Sequence, residues 1–387
     1  MNRKRYAAVI CEYNPFHFGH KFQMDELKKS FDGVICIMSG NIVQRGSVAV
    51  ADKYLRAEAA LKSGADLVLE LPVPWCCSSA HDFAASGVHI ADCISADVLA
   101  FGAEDSLDLL KEICVLTERD EFLNDVKAIS EESKSLSYPQ AFTEAVKRHL
   151  GENAAEAMKK PNNILALEYM NSLKGTKTEP FVIKRQTGYL SSSEIRSRKN
   201  GSEMLELLPD ESRAVFEREN GKAFPREENR LDSFFIGILR RMNSSGEMPK
   251  SVYSTPDDLI KKILQGAVKC SNCEDLVIYC ADKNYTRARV RRAINAIAFG
   301  ITAERVKQKP PFTSVLAAND IGREILRNAK KNGKIDIINK PVRAMNFGEE
   351  TKNAFLFAKG IEDIIALTDI QPLPADTAKN PTIGEFR

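Results

Sequence analysis

Residues 6–20 read YAAVICEYNPFHFGH, a short apolar run followed by a turn that carries two histidines. The run Tyr6–Cys11 is continuously apolar, as strands buried on both faces of a parallel sheet are. Residues 21–29 then place apolar side chains at helical spacing. This stretch therefore predicts a strand, a turn and a helix in succession, the repeating unit of an α/β protein whose parallel sheet is covered by helices.

The same alternation extends through the first half of the chain. Short apolar runs predict strands at residues 33–38, 66–71, 98–101 and 181–184, and helical spacing predicts helices at 53–61 and 80–91. Residues 107–173 are predicted to form a mainly helical insertion before the last strand. Ligands of such sheets bind beyond the carboxyl ends of the strands. The turn after the first strand is therefore the first candidate for a binding site.

A second domain is predicted from a change in composition. After Arg198 the chain becomes acidic and polar, with Pro209, Gly221 and Pro225 as chain breakers. We predict an α/β domain at residues 1–200 and a mainly helical domain at 201–387. Helical spacing in the second domain recurs at residues 234–241, 257–265, 287–299 and 321–331.

Composition limits the class of protein. The 387 residues are 43% hydrophobic, enough for a sizeable core in each domain. The net charge of +2 gives no whole-chain argument for nucleic acid. Nine cysteines, an odd number without disulfide spacing, indicate reduced thiols and a cytoplasmic location. No apolar stretch approaches the ~18 residues of a membrane span, and the start of the chain is not typical of a signal peptide.

The turn His17-Phe18-Gly19-His20 has the composition of an anion site. Gly19 permits close approach of backbone to a phosphate, and the free N–H groups of the following helix favour negative charge. Two imidazoles at this turn can donate to charge that develops on a phosphate in the transition state. The alternative is that one histidine caps the helix while the other packs. Two of the five histidines of the chain fall in this turn, which favours the catalytic interpretation.

A second segment with phosphate-binding character follows the last predicted strand. Ser191, Ser192 and Ser193 open a helix, where hydroxyl groups cap the helix or donate to phosphate oxygens. Arg196, one turn on, can bind a phosphate as a planar fork, and Arg185 lies just upstream. The alternative is an ordinary serine cap beside a surface arginine.

These motifs resemble known families. The histidine turn and segment 191–196 resemble the phosphate-binding motifs of the nucleotidyltransferase superfamily. Residues 12–20, 38–46, 64–72, 101–104, 161–169 and 285–292 are similar to stretches of the bacterial tRNA(Met) cytidine acetate ligase family, so the resemblance covers nearly the whole chain. The sequence departs from the family pattern at two places. Asn284 stands where a basic residue is usual before Tyr-Thr, and the segment around 363–371 matches the pattern poorly.

The resemblance implies a Rossmann-like nucleotidyltransferase domain, followed by a tRNA-binding domain. It implies that ATP and acetate form acetyl-adenylate and pyrophosphate, and that the acetyl group passes to N4 of the wobble cytidine of elongator tRNA(Met). Mg²⁺ is implied by the triphosphate, and no residues are assigned to a metal site. Oligomeric state is left open.

The resemblance also implies the site residues. His17, His20 and Asn14 are the catalytic residues. The ATP site is lined by Ile10, Cys11, Glu12, Tyr13, Asn14, Pro15, Phe16, His17, Phe18, Gly19, His20, Lys21, Phe22, Gln23, Gly102, Asn163, Arg185, Ser191, Ser192, Ser193 and Arg196. Asn162 is as plausible a ligand as Asn163.

Local charge supports RNA as a partner. Residues 283–309 hold eight basic residues and one acid, Glu304. Tyr285 lies among the arginines and can stack on a base, which is worth about 1 to 3 kcal/mol in single-stranded recognition. The alternative is a solvated helix face. The predicted RNA-binding residues are Lys283, Tyr285, Arg287, Arg289, Arg291 and Arg292. A flipped cytidine must reach the nucleotide, so the helical domain should lie over the carboxyl edge of the sheet.

Two other functions remain open. An adenylyl- or cytidylyltransferase acting on a small phosphorylated metabolite would use the same histidines, although the long arginine-containing second half disfavours it. A non-catalytic RNA-binding protein with a vestigial nucleotide fold is the other, and the presence of His17, His20 and Arg196 speaks against it. The Cys270–Cys273 pair lacks the second pair of a zinc site, so a structural role is expected.

Overall fold

The structure is a computed structural model that describes residues 3–132, 136, 138–186, 188–198, 200–369 and 382–383. Its centre is an eight-stranded sheet in the order β5-β4-β1-β2-β3-β6-β7, with β8 paired to β6. The strands are β1 (Tyr6–Cys11), β2 (Gly33–Ser39), β3 (Leu67–Leu71), β4 (Val98–Ala103), β5 (Glu179–Lys184), β6 (Phe312–Ala318), β7 (Asp336–Ile338) and β8 (Thr382–Ile383).

The first five strands confirm the predicted parallel sheet. β1 lies between β2 and β4, both parallel to it, and Ile10 is in register with Ile37. Every residue of β2 and β3 is buried. These strands are apolar throughout because helices cover both of their faces. The carboxyl ends of β1, β4 and β5 consequently meet at one edge of the sheet.

Helices account for the rest of the regular structure in the described chain. They are α1 (Phe18–Lys28), α2 (Lys53–Lys62), α3 (Ala80–Cys93), α4 (Leu107–Leu116), α5 (Asp120–Glu132), α6 (Tyr138–Leu150), α7 (Glu152–Ala157), α8 (Pro161–Leu173), α9 (Ser192–Arg196), α10 (Gly201–Leu205), α11 (Asp210–Glu217), α12 (Asp232–Ser245), α13 (Asp257–Lys269), α14 (Cys273–Cys280), α15 (Arg287–Phe299), α16 (Ala303–Lys307), α17 (Asp320–Asn332) and α18 (Glu349–Ile365). The predicted helical insertion before β5 is therefore confirmed as α4 to α8. Among all the residues that the structure describes, no helix is long and apolar enough to cross a membrane.

The second half of the chain also contributes strands to the sheet, which the sequence analysis did not predict. β6 is buried at every position and pairs with β3 in antiparallel orientation, so the sheet is mixed at this edge. A single hydrophobic cluster contains Ile35, Leu69, Ile263 and Phe355. The two halves thus share apolar packing. A division at residue 200 stays a prediction about domains, and β6 and β7 cross it.

Candidate active site

The histidine turn, residues 12–20, connects the carboxyl end of β1 to α1. His17 is the N-terminal cap of α1, and together with His20 it forms a reciprocal capping box. The alternative interpretation, that a histidine caps the helix, is therefore right for His17. It does not exclude chemistry, because each cap contact uses only one of the two ring nitrogens.

The hydrogen bonds of this turn define the tautomer of both histidines. The backbone N–H of Gly19 donates to Nδ1 of His17 at 3.0 Å, and the backbone N–H of His17 donates to Nδ1 of His20 at 3.3 Å. A backbone N–H can only donate, so each Nδ1 accepts and each neutral ring carries its proton on Nε2. The rings stack with centroids 3.8 Å apart. The turn therefore holds two adjacent Nε2–H donors in one orientation.

Both imidazoles are neutral near pH 7. Burial, together with the positive charges of Arg185 and Arg196, lowers the pKa of His17 to about 4. Burial also lowers the pKa of His20 well below its usual value, with His17 and Arg185 adding to the effect. The two rings thus act as neutral hydrogen-bond donors, and the positive charge in this region comes from arginine.

Segment 188–196 lies against the histidine turn, as predicted for two halves of one site. Arg196 donates from Nη1 to the backbone oxygen of Asn14 at 2.5 Å. A Cβ added to Gly19 would be 3.0 Å from the His17 ring and 3.8 Å from Cβ of Tyr189. The absence of a side chain at Gly19 therefore leaves room between the two segments for a bound group.

The three serines of this segment are not equivalent. Ser191 caps α9 in a capping box with Glu194, so the ordinary serine-cap interpretation holds for this residue. Ser192 is partly exposed and Ser193 is exposed, and Ser193 accepts a hydrogen bond from Arg196 at 3.3 Å. Their hydroxyl groups can still donate to a ligand, whereas the Ser191 hydroxyl already donates to Glu194 at 2.7 Å.

Asn14 has an unused donor inside the site. Its Oδ1 accepts from the backbone N–H of Val50 at 2.7 Å, and the residue is 1% exposed. Its Nδ2 is buried and has no hydrogen-bond partner among the described residues. A buried amide without a partner costs about 1 to 3 kcal/mol. A ligand oxygen would remove that cost, so the geometry fits a group that accepts hydrogen bonds.

The ends of β4 and β5 place Arg185 over Gly102. A Cβ at Gly102 would be 3.2 Å from Cγ of Arg185, so the absence of a side chain at Gly102 leaves room for the Arg185 side chain. Arg185 also forms an ion pair with Glu104 at 3.6 Å. The predicted residues Gly102 and Arg185 are therefore brought together beside His17.

Asn163 has an indirect connection to the site. It is fully buried, and its Oδ1 accepts from the backbone of Glu104 and Asp105 while its Nδ2 donates to Asp105 and Ala157. Asn162 is partly exposed and bonds to Glu104 at 2.5 Å. Asn163 thus shapes the turn after β4, and contact with ATP by either asparagine stays a prediction.

Arg56 is a structural residue of the site that sequence reasoning missed. Its guanidinium is fully buried and donates to the backbone oxygens of Glu12, Ser39, Gly40 and Ala51. Burial lowers its pKa to about 10, so it remains charged near neutrality. Arg56 ties the end of β1 to the end of β2. The only sequence signal was a charged residue on the buried face of a predicted helix.

The predicted RNA-binding residues gather at the start of α15, where their environments differ. Arg291 pairs with Glu274 at 2.5 Å, and Arg287 lies 4.0 Å from the same carboxylate. Tyr285 donates to Asp258 at 2.6 Å, and the guanidinium of Arg289 lies 5.2 Å from the centre of its ring.

The helical half does lie over the carboxyl edge of the sheet, as predicted. Asn295 of α15 donates to the backbone oxygen of Gly46, in the loop that follows β2, at 2.7 Å. Lys283 is exposed, and Arg289 and Arg292 have no ion-pair partner within the part of the chain described.

Metal ligation is not organised by protein side chains in the described ranges. They contain no group of three or more His, Cys, Asp or Glu residues that could hold a metal ion. All nine cysteines are free, and burial raises the pKa of the Cys270 and Cys273 thiols.

The parallel sheet, the histidine turn and the arginines beside it are typical of a nucleotidyltransferase. Residues 4–371 match the model of the HIGH nucleotidyl transferase family. The chain is 32% identical to the tRNA(Met) cytidine acetate ligase of Thermoanaerobacter sp. (strain X514), over 95% of this chain and 94% of that one. It is 31% identical to the enzyme of the same name from Clostridium perfringens (strain ATCC 13124), over 87% of this chain and 90% of that one. The chain belongs to the tRNA(Met) cytidine acetate ligase family.

A solved structure extends the likeness to the fold. The crystal structure of Thermotoga maritima TmcAL bound with alpha-thio ATP matches with a TM-score of 0.89 and 26% identity, covering 98% of this chain and 99% of that one. The predicted family and the predicted α/β nucleotidyltransferase fold are thereby confirmed.

Proposed function

We propose that this protein is an ATP-dependent ligase that activates acetate as acetyl-adenylate and acetylates N4 of the wobble cytidine of elongator tRNA(Met). The observation that carries the proposal is the pair of neutral Nε2–H imidazoles beside Arg185 and Arg196. The names of the relatives, tRNA(Met) cytidine acetate ligase, supply the acyl group and the acceptor.

In the first step acetate attacks the α-phosphorus of ATP. One acetate oxygen forms a bond to phosphorus, the bond from phosphorus to the bridging oxygen breaks, and pyrophosphate leaves. Negative charge increases on the α-phosphate oxygens in the transition state, and the Nε2–H groups of His17 and His20 donate hydrogen bonds to those oxygens. Removal of one such donor typically costs about 3 to 4 kcal/mol of transition-state stabilisation.

The other side chains of the site bind and orient the triphosphate. The free donor of Asn14 and the exposed hydroxyl of Ser193 bind its oxygens, and Arg185 and Arg196 balance its charge. Mg²⁺ bound to the phosphates would offset part of their charge.

In the second step the N4 amine of cytidine attacks the acyl carbon of the adenylate. The bond from that carbon to the phosphate oxygen breaks, AMP leaves, and the amine loses one proton. The amine must come within bonding distance of the acyl carbon, so the base leaves its stack and enters from the α15 side. The residues predicted to bind RNA, at and just before the start of α15, then hold the tRNA. The reaction takes place in the cytoplasm.

AMP and pyrophosphate release from ATP tests the proposal. The protein is assayed with and without acetate, and with tRNA(Met) transcripts that carry cytidine or uridine at the wobble position. We expect acetate-dependent AMP formation and acetylation of the cytidine transcript alone. AMP or pyrophosphate release that is independent of acetate and requires a phosphorylated metabolite would favour the small-molecule nucleotidyltransferase instead.

A further inference from the structure

The loop after β2 joins the two parts of the proposed site. Val43 and Gly46 close a tight turn in which the backbone N–H of Gly46 donates to the Val43 oxygen at 2.8 Å, and Ile42 pairs with Val48 across it. Arg45 occupies the third position of this turn and is exposed. We name residues 42–48 the β2 loop.

The β2 loop is held on both sides by specific contacts. Toward the histidine turn, the backbone N–H of Gln44 donates to Glu12 at 2.9 Å. Toward the helical half, a Cβ at Gly46 would lie 3.1 Å from the backbone nitrogen of Arg292, so the loop rests directly on α15. Gly46 has φ +84°, which any side chain there would strain. The loop backbone is therefore a rigid bridge between the two regions.

Arg45 and Arg292 are cations without carboxylate partners in the described structure. Two acids contact the backbone of the loop: Glu12 accepts from the N–H of Gln44, and Glu228 accepts from the N–H of Val48 at 3.2 Å. Burial lowers the pKa of Arg292; Tyr253 and Cys77 oppose this shift, and the charges of Arg289 and Arg45 add to it. Burial and Arg45 likewise lower the pKa of Arg196. The β2 loop that carries Arg45 thus lies between the histidine turn and α15.

We propose that Arg45 and Arg292 form a phosphate clasp that binds the tRNA backbone beside the base entering the adenylate pocket. An arginine that lacks an ion-pair partner can bind an RNA phosphate, and a phosphate shared by two such arginines offsets their mutual repulsion. Arg45 lies on the loop whose backbone contacts Glu12 of the histidine turn, so the clasp orients the wobble nucleotide while Arg289 and Lys283 hold other parts of the tRNA backbone. This inference rests on the proposed function.

The experiment compares Arg45→Glu, Arg45→Lys and the matched control Lys177→Glu. Lys177 is exposed and precedes β5 at the opposite edge of the sheet, so it carries the same charge change away from the site. Affinity for a tRNA(Met) transcript is measured as a function of salt, and acetate-dependent exchange of pyrophosphate into ATP is measured without RNA. We expect Arg45→Glu to weaken tRNA binding by about tenfold or more and to reduce the salt slope by about 1.

The remaining outcomes separate the two proposals. Arg45→Lys should retain most of the salt slope but lose acetylation rate at saturating tRNA, because a lysine lacks the planar fork. The clasp is overturned if Arg45→Glu binds tRNA as Lys177→Glu does. It is also overturned if Arg45→Glu loses pyrophosphate exchange, which would assign Arg45 to the ATP pocket. Failure of the unaltered protein to exchange pyrophosphate with acetate would instead contradict the proposed function.

Discussion

The histidine turn and α15 are two charged or polar regions that reach their final arrangement by different routes. In the turn, the hydrogen bonds to the His17 and His20 rings come from backbone N–H groups within three residues of each ring. On α15, Glu274 of α14 pairs with Arg291, whereas Arg289 and Arg292 have no ion-pair partner among the described residues. A site that is held by short-range hydrogen bonds can be predicted from the sequence, whereas ion pairs between residues distant in the chain can be identified only from the fold.

The largest expected effect tests the turn. His20→Ala removes one Nε2–H donor, so we expect AMP formation to fall by about 10² to 10³-fold with tRNA affinity nearly unchanged. Acetate-dependent AMP release and tRNA binding are measured on the same preparation. His81→Ala, an exposed histidine outside the turn, is the control and should keep full activity. Equal loss in both variants would mean that the turn has no special role.

The next effect tests whether the free donor of Asn14 serves the nucleotide. Asn14→Asp keeps an oxygen for the Val50 N–H, loses the Nδ2 donor and adds negative charge. We expect the KM for ATP in pyrophosphate exchange to rise by about tenfold or more, because a buried donor is replaced by a repulsive acceptor. An unaltered KM for ATP, with a thermal midpoint like that of the parent protein, would remove Asn14 from the ATP site.

A smaller effect sharpens the comparison on α15. Arg289→Ala should weaken tRNA binding by about tenfold, whereas Arg291→Ala should weaken it by about threefold, because Glu274 already neutralises Arg291. Binding is measured at moderate salt, and the double variant should keep acetate-dependent pyrophosphate exchange. Equal effects of the two single variants would show that the pairing with Glu274 opens when RNA binds. Normal tRNA binding by the double variant would move the RNA surface off this helix.

The last prediction concerns the pH dependence of stability rather than activity or binding. His17 titrates near 6.5 in the unfolded chain and at about 4 when folded, so between these values the unfolded state binds more protons. Stability therefore falls as pH drops through this window, by about 2 kcal/mol for His17 between pH 7.5 and pH 5. Urea unfolding at both values checks this against His17→Asn, which keeps a helix cap but does not titrate. A parallel loss in both proteins would contradict a buried neutral His17.

Much of the sheet was predictable because its strands are apolar on both faces. The five strands from Tyr6 to Lys184 and the helical insertion follow from periodicity alone. β6 was missed, although it is as buried as β2, because its antiparallel partner β3 lies more than two hundred residues earlier in the chain. Neither composition nor spacing near Phe312 indicates which sheet edge it joins.

The candidate site also contains residues that were predictable from the sequence and one that was not. His17, Gly19, His20, Ser191 and Arg196 were identified from short motifs, because a helix start exposes backbone N–H groups wherever it occurs. Arg56 was not identified, since its role depends on four backbone oxygens from three separate segments.

The sequence by itself determined the parallel strands, the capped histidine turn, the serine cap and the family, because each depends on residues close together in the chain or on matching motifs. Only the tertiary structure decided that Arg291 is paired while Arg45 and Arg292 are not, that Asn14 keeps a free donor, and that β6 extends the sheet beyond β3. Electrostatic pairing and burial depend on which atoms meet in space, and residues distant in sequence supply most of those atoms.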